Sequence, residues 1–406
     1  MKYFISILIV FTCSFAIAKQ INVSVSTNGK YAVSVDDAGK AYLWNLGSKS
    51  VGDLGSNYSL STYFIPNSDN YLLQNKDTKK VIVKSINGKI IKEFTPDFVA
   101  REQAINKNLT TWVGSIAWGD VYKYSISDMK KKQIYISWYM AKNDHNDYWR
   151  GNPPDGKVPS GTAMGSYFNF NFLGNTLIAT PNNSLVVYDF DNHKWHKTNE
   201  NVGQTMNAID PNDEFVYTMS NDLVGTAVKY NLETNKIQNY LNSTNKDNFF
   251  FVIDKNEQLP FLTYQNKPNG RTNLGFIDKD KVLVTYKGVS QPFLWAGLYD
   301  INNIKEQKLN DKAEGNVAIN RAIKYIPLVD QPKEYLSGNY PVGAYPNVSG
   351  YNTTFDTSVE AHKLVMAGGD GIMVYNYNPK DESLKLDWVG EPPKAESKEE
   401  KKGWFW

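Results

Sequence analysis

The side chains able to attack a substrate or hold a metal are few and scattered. The chain has four histidines, His145, His193, His196 and His362. His193 and His196 flank Lys194-Trp195 with the spacing of two ligands in a turn. No third ligand stands near them, so both read as surface residues. Cys13 is the single cysteine and lies at the extreme N-terminus, which removes any Cys-His arrangement from the body of the chain. The sequence carries no nucleophile elbow, phosphate-cradling glycine loop or calcium loop. Ala367-Gly-Gly-Asp-Gly371 is short and lies between strand-like runs, so it reads as a hairpin turn. No catalytic residue, metal ligand or cofactor is assigned.

Side chains suited to recognition are plentiful. Aromatic residues make up 14% of the chain and tyrosine leads with 26, which suits strands and binding surfaces. They gather in three places outside the regular pattern. Residues 137–166 hold Trp138, Tyr139, Tyr148, Trp149 and Arg150. Residues 329–354 hold Tyr335, Tyr340, Tyr345 and Tyr351 among Gly and Pro. The chain ends in Trp404-Phe405-Trp406 after a charged stretch, 391–402, whose composition predicts disorder. Tyr, Trp and Arg anchor protein interfaces, and aromatics beside Asn and Asp also stack on sugar rings. A protein partner is expected and a glycan is the second candidate. The partner-binding residues expected are Trp138, Tyr139, Tyr148, Trp149, Arg150, Tyr335, Tyr340, Tyr345, Trp404, Phe405 and Trp406. A third insertion, 241–273, with Lys267-Pro-Asn-Gly-Arg271, reads as a polar loop, and Phe293 and Trp295 read as core.

A repeat must position these segments. One six-residue pattern recurs as Ala41–Leu46, Val81–Ile86, Val121–Ile126, Leu185–Phe190, Ala227–Leu232, Ala296–Ile301 and Ile372–Tyr377. Its fourth place is usually aromatic and its fifth Asn, Asp or Ser. Successive copies lie 40, 40, 64, 42, 69 and 76 residues apart, so the three long gaps are one period plus an insertion. A period of about 40–45 residues is that of four-stranded propeller blades. Turns such as Thr27-Asn-Gly-Lys30 and Asp37-Ala-Gly39 precede the strand-like runs and supply the left-handed conformations of tight hairpins. One meander cannot cover both its faces, but similar sheets stacked around an axis can. The expected fold is all-β: a seven-bladed β-propeller of four-stranded antiparallel blades over residues 19–390, with inserted loops.

The segment from Val23 to Leu46 resembles the WD-repeat and quinoprotein-like propeller superfamily. It has that superfamily's order of strand, polar turn, strand, Asp-x-Gly turn, and a strand ending here in Trp44-Asn45. Tyr188-Asp189 and Tyr299-Asp300 stand at the same place in later copies, while the superfamily's Gly-His dipeptide is missing. The likeness covers most of residues 20–390 and implies fold more than function.

Lys plus Arg number 44 and Asp plus Glu 42, with no basic stripe, which argues against a nucleic-acid partner. Beyond the N-terminus no apolar run is long enough to cross a membrane as a helix. The first 18 residues combine Lys2, a short apolar run and Ala16-Ile17-Ala18, the pattern of a cleaved secretory signal. A periplasmic or secreted protein is therefore expected, with lipid anchoring at Cys13 the weaker alternative. Without cysteines in the body, such a domain is stabilised by burial alone. The function expected is a non-enzymatic interaction scaffold. The alternatives are an enzyme using the central channel (a lyase, hydrolase or quinone-dependent dehydrogenase) and a glycan-binding adhesin.

Overall fold

The computed structural model describes residues 20–116, 121–137, 160–161, 168–170, 174–179, 185–189, 194–197, 206–219, 226–234, 236–237, 248–252, 268–288, 295–307, 317–327, 355–368 and 371–393. Their strands form seven sheets. The first joins β1 (Gln20–Val25), β2 (Tyr31–Asp36), β3 (Ala41–Asn45) and β4 (Ser50–Gly55). The second joins β5 (Tyr63–Phe64), β6 (Asn70–Gln74), β7 (Val81–Ser85) and β8 (Ile90–Phe94). The third joins β9 (Gln103–Ile105), β10 (Thr111–Ser115), β11 (Val121–Ser125) and β12 (Lys131–Ser137), with β13 (Ser160–Gly161) added in parallel. The fourth joins β14 (Phe168–Phe170), β15 (Thr176–Ala179), β16 (Val186–Asp189) and β17 (Lys194–Lys197).

The fifth and sixth sheets depart from the plain meander. In the fifth, β18 (Met206–Ile209), β19 (Phe215–Met219) and β20 (Thr226–Asn231) are followed by an outer strand in two pieces. β21 (Lys236–Ile237) pairs one end of β20 and β22 (Asn248–Val252) the other. The sixth joins β23 (Pro268–Phe276), β24 (Lys281–Gly288), β25 (Trp295–Asp300) and, after a detour, β28 (Lys324–Pro327). The detour is a hairpin, β26 (Ile304–Gln307) and β27 (Val317–Arg321), that crosses to the fifth sheet and pairs β22 in parallel. The seventh joins β29 (Phe355–Ser358), β30 (Lys363–Gly368), β31 (Gly371–Asn378) and β32 (Ser383–Gly390). The expectation of a polar loop over 241–273 is corrected here: β22 lies inside it, and Pro268–Arg271 opens β23.

All seven copies of the six-residue pattern are third strands. Their fourth place holds Trp44, Tyr124, Tyr188, Tyr230, Tyr299 and Tyr375, all buried. Five of these appear in clusters with the preceding sheet. Trp44 packs on Val365 and Ile372, Tyr124 on Val83 and Phe94, Tyr188 on Val113 and Val121, Tyr230 on Ile178 and Val187, and Tyr375 on Leu283 and Leu298. These five third strands thus plug their aromatic rings into the neighbouring blade, whereas the second blade carries Lys84 at the same place. The architecture is an all-β propeller of four-stranded antiparallel blades. Its first strands meet in order, with β1 against β5, β9 against β14, β14 against β18, β18 against β23, and β23 against β29. β29 and β30 in turn touch β1.

Trp44 is wholly buried and its indole N–H donates to Ser34 Oγ at 2.7 Å, which donates to Gln20 Oε1 at 2.6 Å. The donor is satisfied within the first blade, while burial of the ring depends on that blade being closed against the last. Trp44→Ala should lower unfolding free energy by about 3–5 kcal/mol. Lys40→Ala, which breaks the exposed Lys40–Asp53 ion pair, should cost under about 1 kcal/mol. Urea unfolding of both variants measures this, and equal losses would contradict the packing described.

Candidate functional site

The innermost strands carry polar side chains where a propeller's axis runs. Gln20, Asn22, Ser24, Ser59, Ser61, Thr62, Glu102 and Gln103 are all buried. Burial of so many polar groups is tolerable only when they are bonded, and most bond across blades. Asn22 Oδ1 accepts from the Thr62 amide at 3.2 Å and Ser24 Oγ from the Phe64 amide at 3.0 Å, tying the first blade to the second. Ser61 Oγ accepts from the Gln103 amide at 3.2 Å, and Gln103 Nε2 donates to Ser61 O at 2.9 Å, tying the second to the third. Trp112 then donates its indole N–H to Gln103 Oε1 at 3.1 Å.

Ring closure uses the same device with a charge in it. Asp356 Oδ2, on β29, accepts from the Val25 amide at 2.7 Å and Ser24 Oγ at 3.2 Å, both on β1. Its own neighbour Thr357 donates to Oδ1 at 2.8 Å. Ser358 Oγ donates to Thr27 O at 2.6 Å. Gly29, in the adjoining turn, has φ +62° and lies so close to the last blade that a β-carbon there would sit 2.2 Å from Ala361 Cβ. Only glycine meets both demands. At the rim, Lys49 pairs with Asp387 at 2.9 Å. The first and last blades therefore meet face to face, and among the described residues no strand is exchanged between them.

Two carboxyls near the axis are perturbed. Burial lifts Asp356 to about 6, against the pull of the Val25 and Thr357 amides and the Ser24 hydroxyl. Burial also raises Glu102 well above the usual carboxylate range, opposed by the charge of Arg101 and a hydrogen bond from Ser61. Its Oε1 is buried without a hydrogen-bond partner. Among the described residues no three His, Cys, Asp or Glu side chains cluster as a metal site, and no helix is long and apolar enough to cross a membrane. Lysines on the third and outer strands lie over aromatic faces. Lys131 Nζ lies 4.2 Å from the Tyr122 ring and 2.9 Å from Asp97, and Lys123 Nζ lies 4.6 Å from the Tyr188 ring across two blades.

Trp138, Tyr139, Tyr148, Trp149, Arg150, Tyr335, Tyr340, Tyr345, Trp404, Phe405 and Trp406 all lie outside the described residues, as do His145, His193, Phe293, Cys13 and the segment 1–18. The His196 and Trp295 side chains do too. His362 packs on Tyr377 and hydrogen-bonds Ile277 O through Nδ1. Sequence reasoning missed Asp356 and its partner Ser24, which stand 332 residues apart. No spacing rule connects them before the ring is closed.

These sheets, packed through their third-strand aromatics and bonded through their first strands, define an all-β propeller. The chain is similar to the β-propeller domain of Cps50 (Swd1) from Myceliophteria thermophila, with a TM-score of 0.53 and 10% identity over 89% of this chain and 98% of that one. It is similar to Hsv2 from Kluyvelomyces marxianus, with a TM-score of 0.52 and 8% identity over 92% and 99% of the two chains. For Hsv2 from Kluyveromyces lactis the TM-score is 0.52, with 9% identity over 93% and 100%. Likeness at such identities establishes a shared fold. No family model and no curated protein sequence matches the chain.

The seam carries a pH signature. The folded carboxyl of Asp356 binds its proton more tightly than the unfolded one, whose ordinary value is 3.8. Its contribution to stability is full below that value and is lost as pH rises to about 6. β1 brings no titratable side chain to it. The stability of wild type minus that of Asp356→Asn should therefore fall as pH rises across this window, measured by urea unfolding at several pH values. A difference that is flat or rises with pH would contradict the assignment.

Proposed function

We propose that this chain is an exported, non-enzymatic interaction scaffold built as a seven-bladed propeller, working in a bacterial envelope or outside the cell. The blade count is supported by the first strands β1, β5, β9, β14, β18, β23 and β29, each in its own sheet. One observation carries the scaffold reading. Of the buried polar side chains near the axis, Asn22, Ser24, Ser61, Gln103 and Asp356 are bonded to the neighbouring blade, while Gln20 Nε2 and Glu102 Oε1 have no hydrogen-bond partner. The hydrogen-bonding capacity of those five is taken up by the ring, which leaves loops and rim for recognition. Loops on such a rigid frame are where binding concentrates. The likeness to the Cps50 (Swd1) β-propeller domain supports the frame. Partner binding at Trp138–Arg150, at Tyr335, Tyr340 and Tyr345, and at Trp404–Trp406 rests on residue type alone. Export rests on the pattern of residues 1–18.

Two outcomes follow. Cross-linking in the native cell should recover one or more defined protein partners, and loss of residues 138–150 or 391–406 should reduce that recovery at least several-fold while leaving the folded content intact. Full recovery from both deletions would remove the site assignment. N-terminal sequencing of the protein from cells should begin at Lys19; a chain still carrying Met1 in the cytoplasm would remove export.

A further inference from the structure

In four blades the outer-strand residue paired with the fourth-place ring is apolar: Val51 with Trp44, Trp195 with Tyr188, Ile237 with Tyr230 and Leu386 with Tyr375. In the third blade that residue is Lys131, paired with Tyr124. Directly paired residues share a sheet face, so the lysine ends a row that runs Trp112, Tyr124, Lys131. Packing alone calls for no charge at this place.

Three rings and a carboxylate surround the ammonium. Lys131 Nζ lies 4.2 Å from the centroid of Tyr122, 5.3 Å from that of Phe98 and 6.0 Å from that of Tyr124. Asp97 completes the cage, its two oxygens accepting from Nζ at 2.9 and 3.2 Å. The walls brace one another. The Phe98 ring lies 5.6 Å from Tyr122 and 6.1 Å from Tyr124. Wholly buried Trp112 backs Phe98 and Tyr124 at 5.6 and 5.5 Å, and its own N–H is held by Gln103. The Tyr124 hydroxyl donates to Asp97. Against the pull of burial, this bond and those from Lys131 hold the Asp97 carboxyl below its usual range, so it is charged at neutral pH. The other cation close by, Lys79, donates to the backbone oxygen of Asp97 at 2.7 Å.

The occupant is held less firmly than the walls. The Lys131 side chain is 34% exposed and that of Asp97 63%. Contacts of a solvent-exposed lysine are weak, and ordering its long, flexible stem costs entropy.

We propose that Phe98, Tyr122, Tyr124 and Asp97 form a receptor for the ε-ammonium of a lysine on a partner protein, with Lys131 the internal occupant that it displaces. The inference rests on the scaffold reading and names the chemistry of one partner contact. Aromatic faces attract any cation. The carboxylate selects among cations, because it accepts N–H bonds that a primary ammonium offers and a quaternary one lacks. A lysine side chain therefore fits the whole cage, and a choline headgroup only its rings. Lys131 lowers the apparent affinity by the share of time that it fills the cage. That reserves the site for a lysine delivered by a partner already held elsewhere on the scaffold.

The test uses the full chain and N-acetyl-lysine methylamide, followed by saturation-transfer NMR from protein ring protons to the ligand ε-methylene. Lys131→Ala should bind this ligand about ten-fold more tightly than wild type, since the occupant is gone. The norleucine analogue, which lacks the ammonium, should bind neither protein. In the Lys131→Ala background, Tyr122→Leu should abolish binding. In the same background Asp97→Asn should weaken binding several-fold and remove the preference over tetramethylammonium. Asp97 is exposed, so this variant decides the matter if Tyr122→Leu unfolds. Equal affinity of Lys131→Ala and wild type, equal binding of the norleucine analogue, or binding unchanged by Asp97→Asn would overturn the proposal. So would a response to phosphatidylcholine vesicles with none to the lysine ligand, which would give the cage to a membrane surface. Intact partner recovery in the cell beside a cage that does not bind sinks the cage alone; a binding cage with no partner recovered sinks the scaffold reading alone.

Discussion

A β-sheet that is apolar on both faces has to be covered twice, and that requirement organises this molecule. Val33 and Val35 on one side of the first blade face Phe64 and Tyr71 of the second, while Val23, Trp44 and Leu46 face Val365 and Val374 of the last. Every blade is both plug and socket. A linear stack would leave one bare face at each end, and bending it into a ring removes both. The seam is then an interface like the rest, except that the residues meeting there come from opposite ends of the chain. It needs Asp356, Ser358 and Gly29 to hold two distant segments at hydrogen-bond distance.

The polar layer around the axis follows from the same geometry. First strands converge there, and apolar packing between blades thins out toward their inner edges. Their amides at Val25, Phe64 and Gln103 are met by side chains of the preceding blade. The device is repeated with different residues: serine twice, and aspartate at the seam. Aspartate accepts several bonds at once, which suits a place where the amide of Val25 and the hydroxyl of Ser24 both arrive. The cost is a buried charge, visible as a raised carboxyl.

Much of this was legible in the sequence, and the limits have physical causes. The six-residue pattern located all the third strands, because a residue that must fill a neighbour's socket is held to aromatic type. The turns Thr27–Lys30 and Asp37–Gly39 were legible because positive φ selects Asn, Asp and Gly; Gly29 and Gly39 do adopt it. Pro268–Arg271 was misread as loop because Pro, Asn and Gly are turn formers, yet here they open an irregular first strand whose pairing with β24 shifts register twice. The hairpin β26–β27 crossing to another blade has no local signature, since its destination is set by tertiary pairing. Asp356 and Glu102 were equally silent, because their partners are set only when the blades meet.

The central claim is that the ring closes by direct contact of first and last blades. The most direct measurement is zero-length carbodiimide coupling of the native chain, followed by peptide mass mapping. Lys49 and Asp387 lie 2.9 Å apart although 338 residues separate them. A Lys49–Asp387 cross-link that forms within one molecule, alongside the local Lys40–Asp53 link, is the predicted result. The local link without the distant one, in folded protein, would contradict the closed ring.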